Sequence, residues 1–249
     1  MSSARSNNPV ALVTGAARRV GAVIARTLHG TGYDLALHCH HSRAELDALV
    51  AELESARADS TLALQADLTD STRLPSLIEN TIARFGRLDA LVNNAAAFFP
   101  TPFGTITAQQ CDQLFTTNAR APLLLAQVAA THLQHSRGSI VNIVDIYAQQ
   151  PLAGYMAYCV SKAALAMVTL ALAQELGPDV RVNGVAPGNV LWSEQPIEAE
   201  TMATILQRTA LKRQGSPRDI AGAVLWLLRD ATYVTGQILR VDGGRGLSL

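Results

Sequence analysis

The stretch Val10-Ala11-Leu12-Val13-Thr14-Gly15-Ala16-Ala17-Arg18-Arg19-Val20-Gly21 decides the fold of this chain. Its first half is a short apolar run typical of a buried parallel strand, and a helical pattern opens directly after it. Glycines at such a junction allow a tight turn, and the free N–H groups at a helix start can bind a phosphate. The stretch therefore predicts a strand, a phosphate-binding turn and a helix in succession.

Short β-branched or leucine-rich runs alternate with segments of helical periodicity along the rest of the chain. The runs occupy 10–14, 35–38, 62–65, 90–92, 139–144, 180–185 and 238–241, and the helical segments lie at about 19–30, 42–57, 71–85, 109–135, 154–176 and 217–229. This alternation is typical of repeated βαβ units with a buried parallel sheet. We predict an α/β fold with a doubly wound, seven-stranded parallel sheet flanked by helices.

The chain is expected to form one domain. Residues 1–8 are polar and predict a disordered tail, and residues 9–249 form the domain itself. The segment at about 188–215 lacks clear periodicity and is rich in Pro, Trp and polar residues. A long segment of this kind in a compact α/β domain usually lies over a binding site, so we predict a substrate lid there.

Composition excludes several classes of protein. The 249 residues carry 20 basic and 20 acidic side chains, which offer no general attraction to nucleic acid or to anionic lipid. The three cysteines form no CxxC pair, so we expect reduced thiols in the cytoplasm and no metal site. Polar residues interrupt every apolar window near the ~18 residues of a membrane span, and we expect no membrane association.

The end of the second predicted strand indicates which cofactor is preferred. It reads His38-Cys39-His40-His41-Ser42-Arg43 and lacks the acidic residue that accepts hydrogen bonds from an adenosine ribose. Ser42, Arg43 and the imidazoles can instead donate to a 2′-phosphate, which a carboxylate would repel. The sequence thus favours NADPH. A solvated polar loop and a metal site at the three histidines are the alternatives.

Tyr158 and Lys162 are four residues apart in a predicted helix, so both lie on one face. A phenol with its ordinary pKa near 10 is a poor acid or base at neutral pH, but a neighbouring ammonium lowers that pKa. The pair therefore predicts a proton-transfer site. Tyr and Lys on an exposed helix face is the alternative for this pattern taken alone.

Several motifs combine with Tyr158 and Lys162 into one pattern. They are Thr14-Gly15 with Arg19 and Gly21, Asn93-Asn94-Ala95, Asn118, Pro187-Gly188, and Val241-Asp242-Gly243-Gly244. From Val10 to Gly244 the chain resembles the short-chain dehydrogenases/reductases, with Arg19 in place of the middle glycine of TGxxxGxG. The resemblance implies a Rossmann-type fold in which Tyr158 donates a proton, Lys162 also binds the nicotinamide ribose and Asn118 anchors a relay water.

The resemblance also implies which residues bind the cofactor. Asp67 is expected at the adenine amino group, and the Asn pair is expected to brace the sheet and line the cleft. The full predicted set is Gly15, Arg18, Arg19, Val20, His38, His40, His41, Ser42, Asp67, Leu68, Asn94, Ala95, Ala96, Tyr158, Lys162, Pro187, Gly188 and Val190. Asp67 and the two Asn residues are also common strand-to-helix turn residues.

Asp145 is the informative departure from the family pattern. Relatives that reduce simple ketones have Ser thirteen residues before the Tyr, where its hydroxyl donates to the carbonyl oxygen. An ionised carboxylate only accepts hydrogen bonds and would oppose negative charge on that oxygen. It suits a nitrogen-rich substrate, whose N–H groups it can bind and whose C=N nitrogen a protonated Asp145 beside Tyr158 can protonate.

The departures together resemble the pteridine reductases of bacterial type. Arg19, His38–Ser42, the segment Asn93–Pro102 and the segment Asp145–Lys162 carry this resemblance, while Ala96 stands where the protozoal enzymes have Ser. It implies reduction of dihydropterin to tetrahydropterin in a homotetramer built through the helices at 109–135 and 154–176. The implied substrate residues are Arg19, Phe98, Asp145, Tyr158 and Trp192. The alternatives are a carbonyl or 3-oxoacyl reductase and a catalytically silent NADPH-binding protein.

Overall fold

The computed structural model of the chain describes residues 7–191 and 198–247. Its strands are β1 Val10–Val13, β2 Asp34–Cys39, β3 Thr61–Gln65, β4 Ala90–Asn93, β5 Ser139–Ile143, β6 Arg181–Pro187 and β7 Ile238–Val241. They form one sheet in the order β3-β2-β1-β4-β5-β6-β7, and every neighbouring pair is parallel. The predicted seven-stranded parallel sheet is confirmed.

Helices cover both faces of this sheet. They are α1 Arg19–Gly30, α2 Arg43–Ala56, α3 Leu74–Phe85, α4 Ala108–Phe115, α5 Ala121–Ser136, α6 Met156–Leu176, α7 Ala199–Gln207 and α8 Pro217–Arg229. Buried residues of α1, α2 and α8 pack on one face, and buried residues of α3, α5 and α6 pack on the other. Strand β1 contributes to the core on both faces of the sheet. Ala11 and Val13 pack with α1, α2 and α8, whereas Val10 and Leu12 pack with α3, α5 and α6.

The strand order places a crevice at the centre of the sheet. The chain passes from β1 to β2 on one side, whereas β4 pairs with β1 on the other side. Ligands of open α/β sheets bind at such a switch point, outside the carboxyl ends of the strands. The turns that follow β1, β2, β3 and β4 all meet at this edge because the strands are parallel.

Two predicted segments differ from the structure. The helix expected over 109–135 is divided by a π-helical turn, Thr116–Arg120, between α4 and α5. The expected lid contains helix α7, none of whose residues is buried. Part of the lid, residues 192–197, lies outside the described residues, and Trp192 with it.

Helix α6 is apolar enough to cross a membrane by its length and composition, with a mean hydropathy of 1.7 in its most apolar window. We had expected no segment of this kind. In the structure, however, α6 packs against β6 and α4, and it buries Leu165 and Leu172 together with the polar Tyr158 and Lys162. These are the contacts of a core helix.

Candidate active site

The turn after β1 is held tightly against the turn after β4. The Thr14 hydroxyl accepts hydrogen bonds from the N–H groups of Asn94 (3.0 Å) and Ala95 (3.1 Å). In return, the Asn94 side chain donates to the carbonyls of Thr14 (2.9 Å) and Gly15 (3.0 Å). Asn94 therefore braces the phosphate-binding turn itself.

Glycine is required at two positions near this turn because a side chain at either position would clash with neighbouring atoms. A Cβ at Gly15 would lie 2.8 Å from the Ala95 Cα, and Gly15 also has a φ of +63°. A Cβ at Gly21 would lie only 2.1 Å from the carbonyl oxygen of Gly15. The two positions let the start of α1 approach the turn closely, as a bound pyrophosphate requires.

Arg19 takes the backbone conformation that its place in the motif demands. Its φ is +52°, in the left-handed region that favours glycine. The substitution of Arg for the middle glycine thus keeps the path of the turn and adds a guanidinium. The side chains of Arg18 and Arg19 are both exposed at the start of α1 and line the cavity described next.

A cavity of about 960 Å³ lies at the carboxyl ends of β1 to β4. Thirteen of the predicted cofactor residues line it, namely Gly15, Arg18, Arg19, Val20, His38, His40, His41, Ser42, Asp67, Leu68, Asn94, Ala95 and Ala96. The sequence did not reveal a further polar wall from α4 and the π-helical turn, formed by Gln109, Asp112, Gln113, Thr116, Thr117 and Arg120. These residues resemble an ordinary exposed helix face, so no local signal marks them.

The histidines after β2 separate into two groups. The His38 ring is buried and its two nitrogens are engaged by Gly15 N (3.3 Å) and the Ala66 carbonyl (3.0 Å). Burial lowers the pKa of His38 to about 4, so the ring is neutral at pH 7. The prediction that its imidazole donates to a phosphate is therefore wrong. His40 and His41 are exposed, with ring centroids 3.5 Å apart.

Other groups near the adenosine end are tied to their neighbours. The Asp67 carboxylate accepts a hydrogen bond from Thr69 N (2.8 Å) and lies 3.8 Å from the His40 ring. Arg43 binds Asp47 one helical turn away (2.8 Å) and does not line the cavity, contrary to its expected role at a 2′-phosphate. Ser42 lines the cavity ahead of α2.

Asp145 and Tyr158 form the closest side-chain pair at the end of β5. The Tyr158 hydroxyl donates to Asp145 Oδ2 at 2.6 Å, and Asp145 Oδ1 accepts from Tyr147 N at 2.9 Å. Burial raises the pKa of Asp145. Burial together with the charge of Asp145 raises the pKa of Tyr158 well above its ordinary value. The phenol is thus held protonated.

Lys162 lies beneath this pair. Its Nζ donates to the Ile143 carbonyl at 2.8 Å and lies 6.0 Å from the Tyr158 ring centroid. Burial lowers the pKa of Lys162 to about 8, against the opposing effect of Asp145. Burial and Asp145 raise the pKa of Tyr158, so its net shift is opposite to the lowering expected from this ammonium.

Asn118 lies in the π-helical turn and is fully buried. Its amide oxygen accepts from Ala97 N (2.8 Å), and its amide nitrogen donates to the Ala97 carbonyl (3.0 Å) and to Ser161 Oγ (2.9 Å). Both N–H groups are therefore used inside the protein. The side chain fixes the segment after β4 to α6, and the anchoring of a relay water by Asn118 stays a prediction.

Phe98 lies beside the Asp145–Tyr158 pair. Its ring is 50% exposed, stacks on Tyr155 with centroids 4.7 Å apart, and meets the Tyr158 ring edge-on at 4.7 Å. The aromatic ring and the Asp145–Tyr158 pair are thus close together, as a substrate subsite requires. Trp192, the other predicted aromatic, lies outside the described residues.

The residues predicted after β6 lie apart from the large cavity. Pro187 ends β6, and Gly188 N donates to the Val241 carbonyl at 3.1 Å. Val190 is buried in the core and lines a second cavity of about 420 Å³, which also contacts Asn189 and Asp242. None of the three predicted residues lines the cavity of about 960 Å³.

Comparison with known proteins decides the family. A family profile described as Enoyl-(Acyl carrier protein) reductase matches residues 15–245. The chain is a short-chain dehydrogenase/reductase. This short-chain dehydrogenase/reductase is therefore an oxidoreductase that uses NAD(P).

Relatives of this short-chain dehydrogenase/reductase act on different substrates. It is 36% identical to Pteridine reductase 1 of Leishmania tarentolae, over 96% of this chain and 97% of the relative. It is 35% identical to the L-fucose dehydrogenase of Mus musculus (98% and 90%) and 32% identical to a 3-oxoacyl-[acyl-carrier-protein] reductase of Staphylococcus aureus (94% and 96%). The family is shared, whereas the named substrates are not.

The cleft of this short-chain dehydrogenase/reductase fits a dinucleotide. Gly15 and Gly21 leave the close approach that a pyrophosphate needs, and helix α1 begins at the cavity wall with its free N–H groups. The large cavity would hold the adenosine and phosphate portions, and Tyr158 and Lys162 of α6, beside the end of β5, would hold the nicotinamide ribose. The residues present thus match the cofactor of the family.

Proposed function

We propose that this protein is an NADPH-dependent pteridine reductase that transfers a hydride to a C=N bond of a pterin, converting dihydropterin to tetrahydropterin. The observation that carries the proposal is the 2.6 Å hydrogen bond from the Tyr158 hydroxyl to Asp145. The similarity to the Leishmania pteridine reductase over nearly the whole chain supports it.

Asp145 is suited to a nitrogen heterocycle. A ketone reductase needs donors aimed at an oxygen that becomes negative in the transition state, and an ionised carboxylate would oppose that charge. The N–H and amino groups of a pterin are donors, and a carboxylate binds them through charge-assisted hydrogen bonds. This chemistry favours a pterin over a 3-oxoacyl thioester.

The same pair can supply the proton of the reaction. When bound, the reduced nicotinamide supplies the hydride, which adds to the carbon of the C=N bond, and the nitrogen then requires one proton. Tyr158 has a raised pKa and keeps its proton at neutral pH, so its hydroxyl can protonate the nitrogen, while burial eases the transient uptake of a replacement proton from solvent by the Asp145 carboxylate. Asp145 and Tyr158 thus hold and deliver that proton, and Lys162 carries positive charge beneath them.

Phe98 and Arg19 are proposed to position the pterin. The half-exposed Phe98 ring next to Tyr158 offers a face for a flat heterocycle, and such stacking is worth about 0.5–1.5 kcal/mol beyond the burial of area. The exposed guanidinium of Arg19 lines the cleft and can meet both cofactor phosphates and carbonyl-type acceptors on the ring.

NADPH is the proposed cofactor because of the polar groups after β2. His40, His41 and Ser42 line the cavity where a carboxylate would favour NADH. Arg18, at the start of α1, lines the same cavity and adds positive charge. These donors favour a 2′-phosphate over a free ribose hydroxyl.

We also propose a cytoplasmic homotetramer. Helix α6 exposes an apolar stripe at Met156, Val160, Met167 and Leu170, and Leu123 of α5 is exposed as well. The spacing of these α6 residues keeps them on one side of the helix, and a stripe of this kind is typical of helix-to-helix association.

A substrate panel tests the proposed function. The purified chain is assayed with NADPH and NADH against biopterin, dihydrobiopterin, dihydromonapterin, dihydrofolate and an acetoacetyl thioester. We expect turnover of a dihydropterin with NADPH and little turnover with NADH. Turnover of the thioester alone would replace the proposal with a 3-oxoacyl reductase, and NADPH binding without any turnover would make the protein a silent member of the family.

A further inference from the structure

We propose that His38 is a positioning residue for the cofactor, because its imidazole fixes the phosphate-binding turn to strand β3. The proposal rests on the cofactor half of the proposed function and is independent of the substrate. His38 belongs to β2, whereas the turn follows β1 and Ala66 follows β3. One buried ring therefore joins three neighbouring parts of the sheet edge.

Contacts on both sides of the ring define this role. Gly15 N–H donates to His38 Nδ1 (3.3 Å), and His38 Nε2 lies 3.0 Å from the Ala66 carbonyl. The main chain adds a parallel contact, since Ala16 N donates to the His38 carbonyl at 2.8 Å. The two amides at the base of the turn are thus both held by the same residue.

The direction of these bonds assigns the tautomer. Because Gly15 donates an N–H to Nδ1, that nitrogen carries no proton, and Nε2 donates its own N–H to Ala66. A protonated ring would place an N–H against the Gly15 N–H and break the contact. The titratable groups that face the ring are His40 and Asp67, from the ends of β2 and β3.

The contacts of His38 fix the position of the phosphate-binding turn after β1. The Cβ space at Gly15 is already limited by Ala95 on one side, so the turn cannot shift toward β4. His38 holds it from the other side, toward β2 and β3. A ring that lost the Gly15 contact would free the turn in that direction and misplace the start of α1 relative to a bound pyrophosphate.

Two substitutions at His38 distinguish the hydrogen bond at Nδ1 from the hydrogen bond at Nε2. In His38→Asn the Oδ1 is bonded to Cγ, as Nδ1 is, so it can still accept from Gly15. In His38→Gln the side-chain N–H can reach Ala66 but offers no acceptor at the Nδ1 position. We expect the dissociation constant of NADPH, measured by fluorescence titration, to rise roughly tenfold in the Gln variant, the effect of losing one buried hydrogen bond.

The Asn variant is the matched control. It should bind NADPH within about threefold of the native chain, since it keeps the bond to Gly15. The kcat at saturating NADPH should be preserved in both variants, so that the effect falls on the KM for NADPH. Equal NADPH affinity in the Asn and Gln variants, or a loss confined to kcat, would overturn the proposal.

A measurement on the unaltered chain covers the case in which the variants fail to fold. With ¹⁵N-labelled histidine, NMR should show His38 as the Nε2–H tautomer, with Gly15 N–H coupled to Nδ1 across the hydrogen bond. An Nδ1–H tautomer would overturn the proposal. If the native chain itself binds no dinucleotide, the proposed function fails and the cofactor role of His38 fails with it, whereas the tautomer still shows whether the ring holds the turn.

Discussion

Asp145 and Tyr158 keep a proton between them because a negative charge on either group would be buried. Both groups are buried, which raises the pKa of each; the charge of Asp145 raises the pKa of Tyr158 further, whereas the hydrogen bond from Tyr158 lowers that of Asp145. The proton therefore stays within the pair at neutral pH, and the Tyr158 hydroxyl points it at Asp145 Oδ2. A pair of this kind can donate a proton, and it is not suited to act as a nucleophile or as a base.

Replacing Asp145 by Ser tests this pair. Under the proposed function, we expect the rate of dihydropterin reduction to fall by at least about tenfold, because the acid that supplies the proton is lost. The NADPH dissociation constant should stay nearly unchanged, since Asp145 does not line the large cavity. Steady-state kinetics and fluorescence titration measure the two effects. Undiminished pterin turnover in the variant would show that Asp145 has another role.

His38 should make the folded state sensitive to acid. Its pKa is about 4 in the folded chain, below the ordinary value of 6.5, so the unfolded chain binds the proton more tightly. Stability should therefore fall as the pH drops from about 6.5 to about 4, by roughly 3 kcal/mol in total, and this slope should vanish below that range.

Urea denaturation at a series of pH values measures this contribution. The His38→Asn variant should lose the part of the slope that belongs to His38, whereas a substitution of the exposed His41 by Asn should keep it. The same slope in the native chain and in His38→Asn would mean that His38 is not the titrating group.

At the scale of elements, the turn and helix α1 act as one unit. Alanine normally stabilises a helix interior relative to glycine, by up to about 1 kcal/mol. Gly21 lies in α1, yet a Cβ there would be 2.1 Å from the Gly15 carbonyl oxygen and 2.6 Å from the Asn94 side chain. Packing against the turn therefore outweighs the intrinsic preference.

The substitution Gly21→Ala should thus destabilise the chain, by about 1–3 kcal/mol, through overpacking. It should also weaken NADPH binding, because α1 must move away from the turn. Gly222→Ala in α8 is the matched control, since a Cβ there meets nothing within 4 Å. The control should raise stability by about 0.5–1 kcal/mol. Thermal or urea unfolding measures the stability of both variants, and a change of the same sign and size in the two would contradict the prediction.

At the scale of the whole molecule, α6 has two different faces. One face is buried and carries Tyr158 and Lys162, and the other exposes Met156, Val160, Met167 and Leu170. If α6 packs against another copy of the chain, that association also supports the back of the helix that bears the catalytic groups. Assembly and catalysis would then be linked through a single helix.

The substitution Met167→Glu tests the assembly. The native chain should give a mass near four times 26.5 kDa by light scattering, and the variant should give a smaller species, since a charge would be buried at the contact. Ala51→Glu on the exposed face of α2 serves as the control and should leave the mass unchanged. A monomeric native chain, or a tetrameric Met167→Glu variant, would contradict the proposed tetramer.

Local sequence signals predicted the framework of this protein. The apolar runs at 10–14 and 139–144 predicted β1 and β5, and the spacing of Tyr158 and Lys162 placed both on one helix face, because periodicity is encoded within a few residues. The glycines after β1 predicted the tight turn for the same reason, and the binding of a phosphate there stays a prediction. Helix α7 was missed because its nine residues form a short exposed segment in a stretch rich in Pro and polar residues, and the π-helical turn was missed because it continues directly from α4 into α5.

Only the tertiary structure decided which site residues are protonated and which groups they contact. The ring of His38 contacts Gly15, Asn118 holds Ala97, and the wall of α4 faces the cavity. Burial raises the pKa of both Asp145 and Tyr158, and the charge of Asp145 raises the pKa of Tyr158 further. The sequence by itself determined which residues reach the carboxyl edge of the sheet. Burial and contacts between distant residues determined their protonation and their bonds, because desolvation depends on the whole surrounding shell of atoms.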